Sequence, residues 1–271
     1  MNMDVLKRNN VNIIGKGSQV IMFAHGFGCD QVMWRYITPA FEEDYKLVLF
    51  DYVGCGKSDI GQYNEDRYGS LHGYAQDVLE ICNTLSLENV ILVGHSVSSM
   101  IGMLASIQQP ELFRSLILVC PSPCYINKPG YTGGFEEKDL LELMEVMENN
   151  YVGWASFLAP VVMKNTERPE LVQELGESFC SMDKEITGNF AKVTFFSDNR
   201  KDLPKVKVPS LILQCTEDDI ASDKVGAYVQ DNLRHSEIYH MKATGHCPHM
   251  SDPEETIKYI KQYLQKENIS A

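Results

Sequence analysis

The strongest chemical signal in the sequence is a serine that follows an apolar run. Residues 90–93 predict a buried strand, and Gly94-His95-Ser96 comes next, directly before a predicted helix. A serine on a tight strand-to-helix turn is held exposed and strained, which suits a nucleophile, provided that its neighbours are small. The usual pattern is G-x-S-x-G, and here Ser98 occupies the last position. We predict that Ser96 is a nucleophile, the alternative being an ordinary Gly-Ser turn before a helix.

A second motif fits the same chemistry. His25-Gly26-Phe27-Gly28 follows the predicted strand at residues 20–24. A loop of this kind can supply one backbone N–H to an oxyanion hole, and the residue after the nucleophile supplies the other. The expected donors are therefore the amides of Phe27 and Val97. For His25 itself we expect a structural role within the loop.

A nucleophilic serine needs a base, and a histidine after the last strand is the best candidate. The sequence has seven histidines, and His246 lies between the predicted strand at residues 238–240 and the final helix. His249 is the alternative base, and a metal-binding pair of His246 with His249 is a weaker alternative. We predict no metal site.

The third member of such a site is an acid that orients the histidine. Glu217-Asp218-Asp219 follows the predicted strand at residues 211–214, so the order serine, acid, histidine along the chain is the one expected for this constellation. The residues alone leave the choice among these three acids open.

The elements that must position these residues are short apolar strands alternating with helices. Most strand-like runs are continuously apolar, which is typical of parallel strands covered on both faces. Alternation with helices predicts an α/β fold with a mostly parallel, doubly wound sheet. The first two runs, separated by Gly15-Lys16-Gly17, suggest a hairpin at the sheet edge.

One segment breaks this alternation. Residues 124–202 contain apolar residues at helical spacing and no convincing strand, with prolines at both ends. We interpret residues 1–123 and 203–271 as the core, and residues 124–202 as a helical lid inserted between two strands. Phe157 and Leu158 are predicted to wall an apolar pocket above Ser96.

Composition limits the function classes. The 271 residues carry 24 Lys and Arg against 37 Asp and Glu, a net charge of −13, which disfavours nucleic acid and anionic membranes as partners. The eight cysteines are scattered and form no CxxC pair, as expected in a reducing compartment. The N-terminal residues lack a signal core, and no apolar run is long enough to span a membrane. We expect a cytoplasmic protein without a cofactor.

Longer strings carry a family resemblance. Gly26-Phe27-Gly28-Cys29-Asp30, Gly94-His95-Ser96-Val97 and Gly245-His246-Cys247-Pro248-His249-Met250 are among them, and they extend over nearly the whole chain. The sequence resembles the RsbQ-like α/β-hydrolases of Bacillus and, more distantly, plant strigolactone and karrikin receptors.

The resemblance implies an α/β-hydrolase fold and a Ser-His-Asp triad, with Asp218 as the acid. It also implies a V-shaped lid of about four helices over a pocket for a small hydrophobic ligand. It implies a regulatory role as well, in which the protein acts with a PAS-domain phosphatase to activate the general-stress sigma factor. Fold alone does not fix function. A metabolic carboxylesterase without a signalling role, and a non-catalytic small-molecule binding module, are the alternatives.

Overall fold

A computed structural model describes residues 5–270, without the side chains of residues 267–270. Residues 1–4 and 271, which the sequence analysis placed in the core, lie outside the described residues. Within the described part, the strands are β1 (Asn12–Ile14), β2 (Gln19–Ala24), β3 (Tyr45–Leu49), β4 (Val90–His95), β5 (Phe113–Val119), β6 (Ser210–Thr216) and β7 (Ser236–Thr244).

Helices alternate with these strands. In chain order the α-helices of the described residues are α1 (Val5–Arg8), α2 (Glu65–Tyr68), α3 (Leu71–Thr84), α4 (Val97–Gln108), α5 (Glu137–Asn149), α6 (Tyr151–Met163), α7 (Pro169–Cys180), α8 (Lys184–Phe195), α9 (Asp223–Asn232), α10 (Pro248–Ser251) and α11 (Pro253–Ser270). Short 3₁₀ turns lie in the connections between them.

The strands form one sheet in the order β1-β3-β2-β4-β5-β6-β7. All neighbouring pairs are parallel except β1 with β3, which is antiparallel. The carboxyl ends of β2, β4, β6 and β7 therefore meet at one edge, and the loops that follow them can build a shared site. The predicted mostly parallel sheet of an α/β fold is confirmed.

The predicted hairpin of the first two strands is wrong. β1 pairs with β3, and β2 lies on the other side of β3. Gly15 has a φ of +89°, and a side chain at Gly17 would collide with the backbone of Asp44. The Lys16 amide donates to the Glu42 carbonyl at 2.8 Å. These glycines let the chain cross closely over the start of β3, so β1 reaches the outer edge of the sheet.

Apolar cores lie on both faces of the sheet. In β2, Ile21 and Phe23 belong to one core, whereas Met22 and Ala24 belong to the other. Successive strand residues point to opposite faces, so a strand between two cores must be apolar throughout. Each fully buried aliphatic or aromatic side chain stabilises the fold by about 1.5–3 kcal/mol, which holds the strand ends rigidly in place.

Four described helices, α5 to α8, lie between β5 and β6 in the chain. α5 packs against α6 and α8, and α6 packs against α7. The chain segments that enter and leave this helical insertion lie side by side. The Asn199 amide donates to the Pro123 carbonyl at 2.7 Å, and Cys124 and Asp198 form an isolated antiparallel β-bridge. We propose on this basis that residues 124–202 act as a lid on a core formed by residues 1–123 and 203–271.

Candidate active site

Ser96 lies on a strained turn between β4 and α4. Its φ is +55° and its ψ is −121°, a backbone conformation that few non-glycine residues adopt. A side chain at Gly94 would clash with the Ser98 carbonyl, so glycine at this position allows α4 to turn back closely over β4. The sequence around Ser96 therefore folds into the sharp turn that the motif predicts.

His246 faces Ser96 from the loop after β7. Its Nε2 lies 2.7 Å from Ser96 Oγ, and its Nδ1 lies 2.8 Å from Asp218 Oδ2. A carboxylate only accepts hydrogen bonds, so Nδ1 carries the ring proton and Nε2 offers its lone pair to the Ser96 hydroxyl. The arrangement can withdraw a proton from Ser96.

Asp218 is buried in the turn after β6. Its Oδ1 accepts from the amides of Ile220 and Ala221 at 2.8 and 2.9 Å, which leaves Oδ2 for His246. Burial alone would raise the pKa of Asp218, but the charge of His246 and these hydrogen bonds lower it below its usual value. The carboxylate is therefore held ionised and in position to stabilise a positively charged His246.

The amides of Phe27 and Val97 lie on two chain segments that meet beside Ser96. Val97 is the first residue of α4, so its N–H has no acceptor within the helix. Within residues 5–270, no hydrogen bond is formed by the Phe27 amide either. A side chain at Gly26 would collide with the His95 ring, so the loop that carries Phe27 lies directly against the turn of Ser96. Both N–H groups are free to bind an anionic oxygen.

A narrow apolar cavity covers Ser96. Its volume is only about 30 Å³. Around His95, Ser96, His246 and Cys247 its walls are mostly apolar, formed by Phe27, Cys29, Tyr125, Leu158, Val162, Leu175, Phe179, Thr194, Phe195 and Ile220. The apolar lining, rather than the volume, is of the kind found in sites for small hydrophobic ligands.

One of the two predicted wall residues is wrong. Leu158 is 4% exposed and lines the cavity, whereas Phe157 is 63% exposed on the outer face of α6. Successive helical residues are about 100° apart, so the face of α6 that packs inward through Ala155 and Ala159 carries Leu158 and turns Phe157 outward.

Sequence reasoning missed Tyr125 as a site residue. Its hydroxyl lies 3.4 Å from Ser96 Oγ, and burial raises the pKa of Tyr125 to about 12, so the phenol stays protonated near neutral pH. The signal was its position soon after β5, the strand beside β4, because the loop there leads onto the same edge of the sheet. Thr194 and Phe179 gave no such signal, since their approach to Ser96 depends on how the inserted helices pack.

The remaining histidines near the site are buried and lie outside the hydrogen-bonded chain of Ser96, His246 and Asp218. His95 Nε2 donates to the His246 carbonyl at 2.7 Å. His249, the alternative base, packs between Trp34 and His95. Burial lowers the pKa of His95 to about 3 and that of His249 well below its usual value. Both imidazole rings are therefore neutral, and both pack in the core beside the site.

Among the described residues, two groups bring potential metal ligands within 4.8 Å of one another: His95 with Cys247 and His249, and Cys120 with Asp218 and His246. In the second group, Asp218 and His246 are already bonded to each other. In the first, burial raises the pKa of the Cys247 thiol well above its usual value, which opposes the thiolate that a metal requires. The absence of a metal stays a prediction.

The end of α6 is joined to the loops that carry the acid and the histidine. The His246 amide donates to the Val162 carbonyl at 2.8 Å, and Asn165 Nδ2 donates to the Thr244 carbonyl at 3.1 Å. Lys164 Nζ lies 2.7 Å from Asp219 Oδ2. Helix α6 and the site are thus connected by direct polar contacts.

Comparison with known proteins identifies the class that this fold and site define. Residues 21–258 match the model of the alpha/beta hydrolase family. The chain belongs to the alpha/beta hydrolase family. Within residues 5–270, no helix has both the length and the apolar character needed to cross a membrane.

Individual relatives cover almost the full chain. It is 38% identical over 261 residues to a protein of Petunia hybrida named Karrikin insensitive 2 receptor CA, and the aligned region covers 96% of this chain and 97% of the relative. It is 35% identical over 255 residues to Strigolactone esterase RMS3 of Pisum sativum, which spans 93% and 95%. A solved hydrolase from Oleispira antarctica has 46% identity and a TM-score of 0.95, with 97% of this chain and 96% of that chain covered.

Proposed function

We propose that this protein is a serine hydrolase that cleaves an ester of a small hydrophobic metabolite. The observation that carries the proposal is the hydrogen-bonded chain from Ser96 Oγ through His246 to Asp218 at the floor of an apolar cavity. No cofactor is needed for this chemistry, because the nucleophile, the base and the anion-binding amides all come from the chain.

The reaction begins with attack of Ser96 Oγ on the ester carbonyl carbon. His246 Nε2 takes the serine proton as the new C–O bond forms, and Asp218 stabilises the resulting imidazolium. The carbonyl oxygen becomes an anion, which the N–H groups of Phe27 and Val97 bind. In comparable enzymes, an oxyanion donor of this kind lowers the activation barrier by about 3–4 kcal/mol.

The second half releases both products. The tetrahedral intermediate collapses, the alcohol leaves, and His246 returns its proton to the departing oxygen. Water then attacks the acyl carbon on Ser96 while His246 accepts a proton from it. The second tetrahedral intermediate collapses, the bond to Ser96 Oγ breaks, His246 returns its proton to Ser96 Oγ, and the carboxylic acid departs. The narrow cavity favours a small acyl group, since a larger one must displace the inserted helices.

We further propose that this hydrolase works in signalling. The sequence resemblance supports a role with a PAS-domain phosphatase in activating the general-stress sigma factor. The relatives named karrikin receptors and strigolactone esterases support reception of a small molecule more directly. A cytoplasmic location is supported by the eight free cysteines, seven of them buried.

The deciding experiment uses p-nitrophenyl acetate and a fluorophosphonate probe with the wild-type protein and Ser96→Ala. We expect turnover and labelling at Ser96 in the wild type, and neither in the variant. A wild-type protein that binds apolar ligands without turnover or labelling would overturn the hydrolase proposal and favour a binding module. Activation of a purified PAS-domain phosphatase would distinguish the signalling role from that of a metabolic carboxylesterase.

A further inference from the structure

The hydroxyl of Ser98 joins the turn of Ser96 to the loop that carries Phe27. Ser98 Oγ forms a short hydrogen bond to the His25 carbonyl oxygen, and the Tyr52 hydroxyl lies 2.9 Å from Ser98 Oγ. A carbonyl oxygen only accepts, so Ser98 donates to His25 and accepts from Tyr52. Serine stands here where the usual motif has a glycine, so this link depends on the departure from the motif.

His25 holds the next peptide group of the same loop. The Tyr52 amide donates to His25 Nε2 at 3.1 Å, so the ring proton is on Nδ1, which donates to the Gly26 carbonyl at 2.8 Å. Burial lowers the pKa of His25 and so keeps the ring in this neutral form. Tyr52 therefore supports the loop twice, through its amide to His25 and through its hydroxyl to Ser98.

These bonds fix the direction of the Phe27 amide. The Gly26 carbonyl and the Phe27 N–H belong to one planar trans peptide, in which they point in opposite directions. The His25 carbonyl belongs to the preceding peptide. Because His25 holds the Gly26 carbonyl, the Phe27 N–H points in the opposite direction from that bond. Ser98, the neighbour of Val97 in the chain, holds the preceding carbonyl of the same loop.

We propose that Ser98 is a positioning residue that sets the two amides of the oxyanion hole at the correct separation. This inference rests on the proposed hydrolase function. Other buried serines of α4 do not make such a link, because Ser99 bonds to the Gly94 carbonyl at 2.9 Å and Ser106 bonds to the Met103 carbonyl at 2.8 Å. Ser98 differs by reaching a separate loop.

The test compares Ser98→Ala with Ser106→Ala, which removes a buried hydroxyl from the same helix far along from the turn. For each protein we would measure kcat and KM for p-nitrophenyl acetate, the affinity for an alkyl trifluoromethyl ketone, and the melting temperature. The ketone forms a tetrahedral adduct with an anionic oxygen, so its affinity reports the oxyanion hole. Binding of the corresponding apolar alcohol, which forms no adduct, reports the cavity alone.

For Ser98→Ala we expect kcat to fall about tenfold or more, less than the hundredfold or greater loss from removing a donor outright. Ketone affinity should fall by a similar factor. KM and alcohol binding should change less than about twofold, because the oxyanion hole does not contribute to binding of the substrate in its ground state. Ser106→Ala should retain wild-type kcat and ketone affinity. Tyr52→Phe, which keeps the bond from Ser98 to His25, should show a smaller loss of kcat.

Equal kcat in Ser98→Ala and the wild type would overturn the proposal, as would a loss of alcohol binding that matches the loss of ketone affinity. If Ser98→Ala does not fold, Tyr52→Phe decides, because unchanged ketone affinity there contradicts the network. Failure of the hydrolase function itself is recognised separately, since the wild type would then match Ser96→Ala in turnover.

Discussion

Asp218 and Asp219 are adjacent in the chain, but their carboxylates lie in opposite environments. The Asp218 side chain is fully buried against His246, whereas the Asp219 side chain is 52% exposed and pairs with Lys164. Both follow the same strand, and the Glu217 backbone before them has a φ of +52°. This turn directs only one of the two acids toward the imidazole.

Asp218→Asn should therefore cripple hydrolysis, and Asp219→Asn should change it little. An amide at 218 can donate to His246 Nδ1 and thereby favour the wrong tautomer, which costs about ten-thousandfold in a comparable triad. The measurement is kcat for p-nitrophenyl acetate in the two variants. A greater loss in Asp219→Asn would refute the role of Asp218.

Ser96→Ala should remove hydrolysis and leave the fold intact. Loss of the nucleophile in a comparable triad lowers kcat by about a millionfold, and alanine keeps the same Cβ on the turn, so the backbone strain there is unchanged. Circular dichroism and the melting temperature check the fold, and mass spectrometry locates the fluorophosphonate adduct. Labelling of the wild type at another residue would contradict the assignment of the nucleophile.

Leu158→Ala should broaden the range of acyl groups, and Phe157→Ala should not. Truncation of Leu158 enlarges the cavity, and each additional methylene that fits is worth about tenfold or more in kcat/KM. We would compare p-nitrophenyl acetate with the butyrate and hexanoate. Phe157→Ala is the matched control, because its side chain faces solvent on the same helix. Equal effects of the two variants would place the cavity wall elsewhere.

Stability should fall as the pH is lowered from about 6.5. Burial lowers the pKa values of His25, His95 and His249, with that of His95 at about 3. Between their unfolded and folded pKa values, only the unfolded chain binds these protons, so acid favours unfolding. Each proton that only the unfolded chain binds changes the free energy of unfolding by up to about 1.4 kcal/mol per pH unit, and the contributions of the three rings add.

Urea denaturation at several pH values between 7.5 and 5 would measure this slope. His249→Phe should reduce the slope, because one of the three proton-binding groups is removed. His72→Gln, at an exposed position, should leave the slope unchanged. A wild-type stability that does not change over this range would contradict neutral burial of the three rings.

The candidate site residues whose placement follows most directly from the sequence are those that local chain geometry fixes. Ser96 and Phe27 stand beside glycines that permit close backbone approach, and His246 follows Gly245 at a φ of +78°. These backbone requirements can be recognised from a few neighbouring residues in the sequence. The choice among Glu217, Asp218 and Asp219 is different, because it depends on how the turn at Glu217, with its φ of +52°, directs the side chains that follow. Only the resemblance separated these three acids.

Longer-range arrangements were beyond local patterns. The pairing of β1 with β3 depends on a chain crossing at Gly15 and Gly17, which the hairpin interpretation did not consider. The inward face of α6 is set by small residues, Ala155 and Ala159, that allow neighbouring helices to approach. Large apolar residues such as Phe157 suggested a different face. The orientation of a helix in an inserted segment depends on the elements that pack against it, and local sequence patterns do not identify those elements.

Because the end of α6 contacts the loop of His246, we propose that the position of α6 and the geometry of His246 depend on each other. The His246 amide can keep its bond to Val162 only while α6 stays in place. A partner that displaces α6 would therefore break this hydrogen bond and move the His246 base. A molecule that holds His246 in place would in turn favour the position of α6 described above. Because such coupling is reciprocal, occupancy of the cavity and the outer shape of the protein must influence each other with equal free energy.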